Sequence, residues 1–272
     1  MERLRAVRHL ALDMDGTIHL GERLFPETLP FLELLDELGI GFTFLTNNNS
    51  KGREEHLHKL KKLGVRVGSN QLLISTDAAI AHLQASMPGV ARLHVLGSPG
   101  LRRDFRAAGY QVIDGPDEPP DAVIIGYDTA LTYEKLERAA RWISAGLPYL
   151  ATHPDRVCPT DGDTVLPDCG AICALLEAAT ERAPDAIPGK PSPAMLASLC
   201  ERDSLAPDQV AMVGDRLYTD MRMAREFGCP AILTLTGETT RERAAAASPR
   251  PDIVVANLAE LGALLRQANP TK

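Results

Sequence analysis

No stretch of this 272-residue chain approaches the uninterrupted apolar run that a bilayer span requires, which argues against a membrane protein. No segment clusters lysine and arginine with aromatic residues, and the net charge is −7, so nucleic acid is not an expected partner. The five cysteines, Cys158, Cys169, Cys173, Cys200 and Cys229, form neither a CxxC pair nor a zinc-ribbon spacing. Cys169 and Cys173 could share a helix face and a metal, but no second ligand pair accompanies them, and reduced, buried thiols are expected. The opening Met1-Glu2-Arg3-Leu4-Arg5 runs straight into a strand-like pattern without an apolar signal core, so cytoplasmic residence is expected. No repeat of solenoid period is present.

What remains is an ordinary globular composition, 44% hydrophobic and 24% charged, long enough for one large domain or two modest ones. Leu10-Ala11-Leu12 reads as a buried strand leading into Asp13. Pro26 to Leu38 carries apolar residues at helical spacing and stops at Gly39. Gly41 to Thr46 reads as the next strand, and the capping residues Asn47-Asn48-Asn49-Ser50 introduce a charged helix from Lys51 to Leu63. This alternation predicts an α/β fold with a parallel sheet and crossover helices. Further strands are predicted at 93–96, 123–125, 148–151, 210–213, 231–235 and 252–255, with helices at 132–145, 220–227 and 258–267. Ala244 to Ala247 reads as a short helix, and Asp114 to Asp121 as an acidic, proline-rich loop.

Four segments end predicted strands or stiff loops with polar residues: Asp13-Met14-Asp15-Gly16-Thr17, Thr46-Asn47-Asn48, Gly189-Lys190-Pro191-Ser192-Pro193, and Gly214 to Asp220. Ligands of open α/β sheets sit at the carboxyl ends of strands, which makes these segments candidates for one site. Residues two apart in an extended chain face the same side, so Asp13 and Asp15 can approach one phosphoryl group together. Two such carboxylates repel unless a cation or proton lies between them, and Mg²⁺, a hard ion preferring oxygen ligands, meets that need. One carboxylate can attack phosphorus while the second hands a proton to the leaving oxygen. By itself the pair also reads as a turn or a calcium-like loop. Thr46 and Asn47 suit an anionic oxygen, or form a simple helix cap. Lys190 on its proline-rich loop can neutralise charge on a transferring group, or be a solvated surface lysine. Asp215 is placed as a metal ligand, and Asp220 either supports metal-bound water or begins the next helix.

Taken together, DMDGT, TNN, GKPSP and GDRLYTD resemble, in order, the motifs of the haloacid dehalogenase-like (HAD) superfamily. Over nearly the whole chain the likeness is to subfamily IIA, which holds NagD-like, para-nitrophenyl-phosphatase-like and phosphoglycolate-phosphatase-like enzymes. The resemblance implies a Rossmann-like parallel-sheet core with an inserted α/β cap of type C2. The core would span 1–78 plus 187–272 and the cap 79–186. Asp13 would be the nucleophile and Asp15 the general acid, then base. Mg²⁺ would be held by Asp13, the backbone carbonyl of Asp15 and Asp215, with Asp220 supporting its shell. Thr46, Asn47, Asn48 and Lys190 would bind the phosphoryl group. Gly126-Tyr127-Asp128 and Ala151 to Asp155 look like recurring cap segments, and relatives often carry Asn where this chain has His153. His153 is therefore a candidate substrate contact, or a surface histidine. His56 and His58 are predicted on different helix faces. The resemblance also points to a homodimer.

The function implied is a Mg²⁺-dependent phosphatase of small phosphomonoesters, such as a sugar phosphate, phosphoglycolate or a nucleotide, working through a phospho-aspartyl intermediate. A phosphotransferase or phosphomutase would use the same intermediate. A phospho-accepting signalling module also uses Asp, Mg²⁺, Thr and Lys, but it is much shorter and has no counterpart of Asp15.

Overall fold

The computed structural model describes residues 2–115, 118–158 and 164–269. They divide into two compact units, one built from Met1–Thr46, Leu60–Leu73 and Lys190–Lys272, the other from Asn47–Lys59 and Ile74–Gly189.

The first unit carries a six-stranded sheet in the spatial order Ile253–Val255, Ala231–Thr234, Val210–Gly214, His9–Asp13, Gly41–Thr46, Leu72–Ile74. The first five strands run parallel, with His9 level with both Val210 and Gly41. Val210–Gly214 is buried at every position and His9–Asp13 at four of five. Such continuous burial is the signature of a strand covered on both faces. One cover is the helix Thr28–Glu37, which buries Phe31, Leu34 and Leu35. Each leucine contributes about 2 kcal/mol by leaving water. The helix Leu258–Ala268 buries Leu258, Leu261 and Leu265 at three- and four-residue steps. A further helix, Ala194–Asp203, ends where Ser204 turns left-handed at φ 54.

The helix expected at 220–227 begins later. Leu217–Met221 forms a wide turn in which Met221 N–H donates to the Arg216 carbonyl at 3.2 Å, and the α-helix runs from Arg222 to Phe227. Asp220 is drawn inward there, because its carboxylate accepts from Arg216 N–H at 3.1 Å and from Lys190 at 2.8 Å.

The second unit holds a four-stranded parallel sheet in the order Gln111–Val112, Arg92–Leu96, Ala122–Ile125, Tyr149–Ala151. Side chains alternate across it with period two. Val123 and Ile125 pack with Ala139 and Ile143 of the helix Tyr133–Ser144 and with Ile172 and Leu176 of the helix Cys169–Thr180. Leu93, Val95 and Ile124 face the other way, against Leu83 of Ser75–Ser86 and Leu101 and Phe105 of Pro99–Ala107. The sheet is thus covered by helices on both faces.

The partition differs from a cut at 78 and 187. Residues 47–59 and 74–78 pack with the second unit, because Asn49 donates to Ser75 Oγ at 3.1 Å and Thr152 Oγ1 at 2.7 Å and accepts from Tyr127 N–H at 2.9 Å. His56 is buried and His58 exposed, on opposite sides of the helix Arg53–Lys62. All five cysteines are buried and none is in a disulfide. Residues 116–117 of the acidic loop lie outside the described residues. Among the described residues no helix is long and apolar enough to cross a membrane.

Candidate active site

Four strand ends and one loop of the first unit supply the polar centre. Asp13 terminates the central strand and is 6% exposed. Directly after it the chain folds back: Ile18 N–H donates to the Met14 carbonyl at 3.0 Å and Gly16 N–H to the His19 carbonyl at 2.8 Å. Gly16 makes this turn at φ +90, and a Cβ there would lie 2.5 Å from Asp215 Oδ2. Only glycine combines that backbone conformation with that approach.

Lys190 is 3% exposed, and its ammonium bonds Asp13 Oδ1 and, at 2.8 Å, Asp220 Oδ1. Burial pushes the Lys190 pKa down, but the Asp13 and Asp220 charges outweigh burial and hold it above the usual lysine value. Asp13 Oδ2 accepts from the Thr17 hydroxyl at 3.0 Å, and both residues are buried. Asp215 follows the adjacent strand at 2% exposure; its Oδ2 accepts from Glu238 N–H at 2.6 Å. Asp215 Oδ1 is buried without a hydrogen-bond partner among the described residues.

Ligand oxygens of Asp13, Asp215 and Asp220 lie within 4.8 Å of one another, all buried. Burial first, then the Asp13 and Asp220 charges, raise the Asp215 pKa; burial likewise raises that of Asp220, against the pull of Lys190. Three carboxylates thus face one ammonium, and the site lacks positive charge. A divalent, oxygen-seeking cation fits this donor set, and the orphaned Asp215 oxygen is the group it would satisfy. No cysteine joins a ligand cluster of this kind among the described residues.

The other expected residues are placed as follows. Asp15 is partly exposed, its carboxylate 3.4 Å from Nδ1 of the buried His19. Thr46 is 2% exposed at the end of its strand. Asn47, in the second unit, donates to Asp155 Oδ2 at 3.2 Å, and its carbonyl accepts from the Ser75 hydroxyl at 2.8 Å. Asn48 uses its side-chain oxygen to accept from Ser50 N–H at 3.1 Å, a local turn that caps no helix, since the helix begins at Arg53. His153 is not on a surface loop: it is fully buried, 3.6 Å from Asp155 and 3.5 Å from Asp168.

Sequence reasoning missed the loop Thr236-Gly237-Glu238. The Thr236 hydroxyl donates to the Gly16 carbonyl at 2.6 Å, and a Cβ on Gly237 would lie 1.9 Å from Asp215 Oδ2. Its only signal was position, after a predicted strand that borders the Asp215 strand in the sheet.

Residues 10–111 match the family model described as haloacid dehalogenase-like hydrolase, and residues 187–261 match a second described as HAD-hydrolase-like. The acid sugar phosphatase of Staphylococcus aureus is 32% identical over 231 residues, which cover 85% of this chain and 87% of that protein. The crystal structure of 4-nitrophenylphosphatase from Thermotoga maritima superposes with a TM-score of 0.90 at 40% identity, covering 96% of this chain and 98% of that one. The glycerol phosphate phosphatase of Mycobacterium tuberculosis, solved in complex with magnesium, gives a TM-score of 0.87 at 28% identity over 95% of this chain and 78% of that one. The chain belongs to the haloacid dehalogenase-like hydrolases.

Proposed function

We propose that this hydrolase is a Mg²⁺-dependent phosphatase of small phosphomonoesters that works through an aspartyl-phosphate on Asp13. The observation that carries the reading is the buried group of Asp13, Asp215 and Asp220 with Lys190 as its neutralising cation. The names of relatives support it: they act on sugar phosphates, nitrophenyl phosphate and glycerol phosphate.

Asp13, the Asp15 backbone carbonyl and Asp215 would hold Mg²⁺, with Asp220 behind them. When bound, the ion supplies positive charge against the oxygens of the phosphoryl group. Lys190 keeps Asp13 in one orientation, and the Thr17 hydroxyl fixes its second oxygen. In the first step an Asp13 oxygen forms a bond to phosphorus, the ester P–O bond breaks, and the Asp15 carboxyl gives its proton to the leaving oxygen. In the second step water attacks the same phosphorus, Asp15 takes the proton, and Asp13 is released with inorganic phosphate. Thr46 and Lys190 bind the phosphoryl oxygens.

Phosphate release is to be measured over a panel of small phosphate esters with and without Mg²⁺. Quenched digests of Asp15→Asn are to be searched by mass spectrometry for a phosphoryl adduct on the peptide carrying Asp13. Full turnover by Asp13→Asn would sink the nucleophile assignment.

A further inference from the structure

The second unit has a feature that the phosphatase reading leaves unused. Numbered along the chain, its strands lie in the spatial order second, first, third, fourth, so the sheet reverses direction of growth between Arg92–Leu96 and Ala122–Ile125. The helix following the first of these, Pro99–Ala107, packs on one face, and the helix following the other, Tyr133–Ser144, packs on the opposite face. In such doubly wound sheets the crevice beyond the strand ends, where the two helices part, is the place where ligands bind.

A cleft of about 620 Å³ opens beside the end of the first strand, lined by that end, by residues just after the second strand and by the starts of both helices, while at the reversal itself Asn49 accepts from Tyr127 N–H and from the Ser98 hydroxyl. Five cations line it against two carboxylates, Asp114 and Glu134, the latter paired with Arg138. Arg102, Arg106 and Arg138 converge on a single exposed residue, Asp114: Arg102 and Arg106 bond its carboxylate, and Arg138 donates to its carbonyl at 2.8 Å. Lys135 also lines the cleft, bonded to the buried Asp128 at 2.7 Å. Burial, then the neighbouring Arg106 charge, lowers the Arg102 pKa. The floor holds a second, independent feature. His94 lines the cleft at 7% exposure, and its Nε2 has no hydrogen-bond partner among the described residues. A buried polar atom left unpaired is destabilising, so a ligand atom that pairs with it gains affinity by relieving that penalty.

We propose that this cleft is a binding site for a small phosphorylated anion, built from none of the residues of the Asp13 centre. The phosphoryl group replaces the Asp114 carboxylate between Arg102 and Arg106, whose forked donors suit its oxygens. Helix N-termini at Ser98 and Thr132 add positive dipole ends, and the neutral imidazole of His94 pairs with the ligand from below. The volume matches an ordinary small-molecule pocket, large enough for a nucleotide-sized molecule.

The probe is inorganic pyrophosphate, added to the full chain without Mg²⁺ at physiological salt, with the His94 ring resonances followed by NMR and assigned by their loss in His94→Gln. The expected result is a saturable shift of those signals. It should weaken about tenfold or more in Arg102→Met/Arg106→Met, since each substitution removes a charge-assisted contact. Turnover of a phosphate ester by the double variant should stay near the parent value. Arg106→Gln, at a half-exposed position, serves the same comparison if the double variant does not fold. A shift that never saturates, or one unchanged in the variants, overturns the site. Citrate displacing pyrophosphate at equal concentration overturns the phosphoryl assignment.

Discussion

The Lys190 ammonium lies 2.8 Å from Asp220 Oδ1 while also bonding Asp13, so one buried cation answers carboxylates drawn from two different strand ends. Removing it leaves buried negative charge without compensation. Lys190→Met should cost about 3–5 kcal/mol of stability, the usual result of breaking a buried pair by deleting one partner. Turnover should fall by about 100-fold or more. Urea unfolding and steady-state assays check both, and a Met variant as stable as the parent would overturn the charge argument.

On the proposed function Mg²⁺ should stabilise the protein, because it would bind a carboxylate group that exists only in the fold. At 100 times its dissociation constant the gain is about 2.7 kcal/mol. Asp215→Asn should abolish this response. Without metal, however, the Asp215→Asn protein should be no less stable than the parent, since the amide oxygen can still accept from Glu238 N–H and one buried charge is gone. Thermal unfolding with and without Mg²⁺ separates these effects.

His94 gives a pH dependence of stability. Burial, then the charges of Arg102 and Arg138, push its pKa down from 6.5 to about 4. Above pH 6.5 both folded and unfolded chains carry neutral imidazole. As pH falls towards 4 the unfolded chain takes up a proton that the folded one refuses, so stability declines by up to about 3 kcal/mol over that window. His94→Gln should flatten this segment of the stability profile, measured by urea unfolding between pH 4 and about 7.

Asn49 is a buried hub, and Asn49→Ala strips partners from Ser75, Thr152 and Tyr127 N–H at once. The expected loss is about 2–4 kcal/mol, several unsatisfied groups at about 1 kcal/mol or more each. Hydrogen exchange at the Tyr127 amide should accelerate, and unchanged protection would count against the hub.

Much of the centre was legible from local pattern. Apolar strands ending in Asp13 and Gly214 announce themselves, because a strand buried on both faces is apolar up to its end, and Gly41–Thr46 follows the same pattern apart from the buried Thr43. Lys190 and Asp220 were named but not tied to one another; their contact spans 30 residues and depends on a wide turn that spacing does not reveal. The helices Ser75–Ser86, Pro99–Ala107 and Ala194–Asp203 left weak signals, each mixing small or charged residues with few long apolar ones. The unit partition was not legible at 47–59, because Asn49 bonds partners 26, 78 and 103 residues away. His153 could have been a surface loop residue until Asp155 and Asp168 were seen around it.

The central strand has its own timing. His9–Asp13 leaves the ribosome well before Val210, where one of its two sheet neighbours begins, and Lys190 and Asp215 belong to that same later stretch. Synthesis therefore exposes Asp13 long before anything can finish its surroundings. A chain broken off ahead of Lys190 has Asp13, the proposed nucleophile, but neither the Lys190 ammonium nor the Asp215 carboxylate. On the proposed mechanism, products truncated before the stretch from Lys190 to Asp220 should release no phosphate, which a phosphate assay on such a product checks.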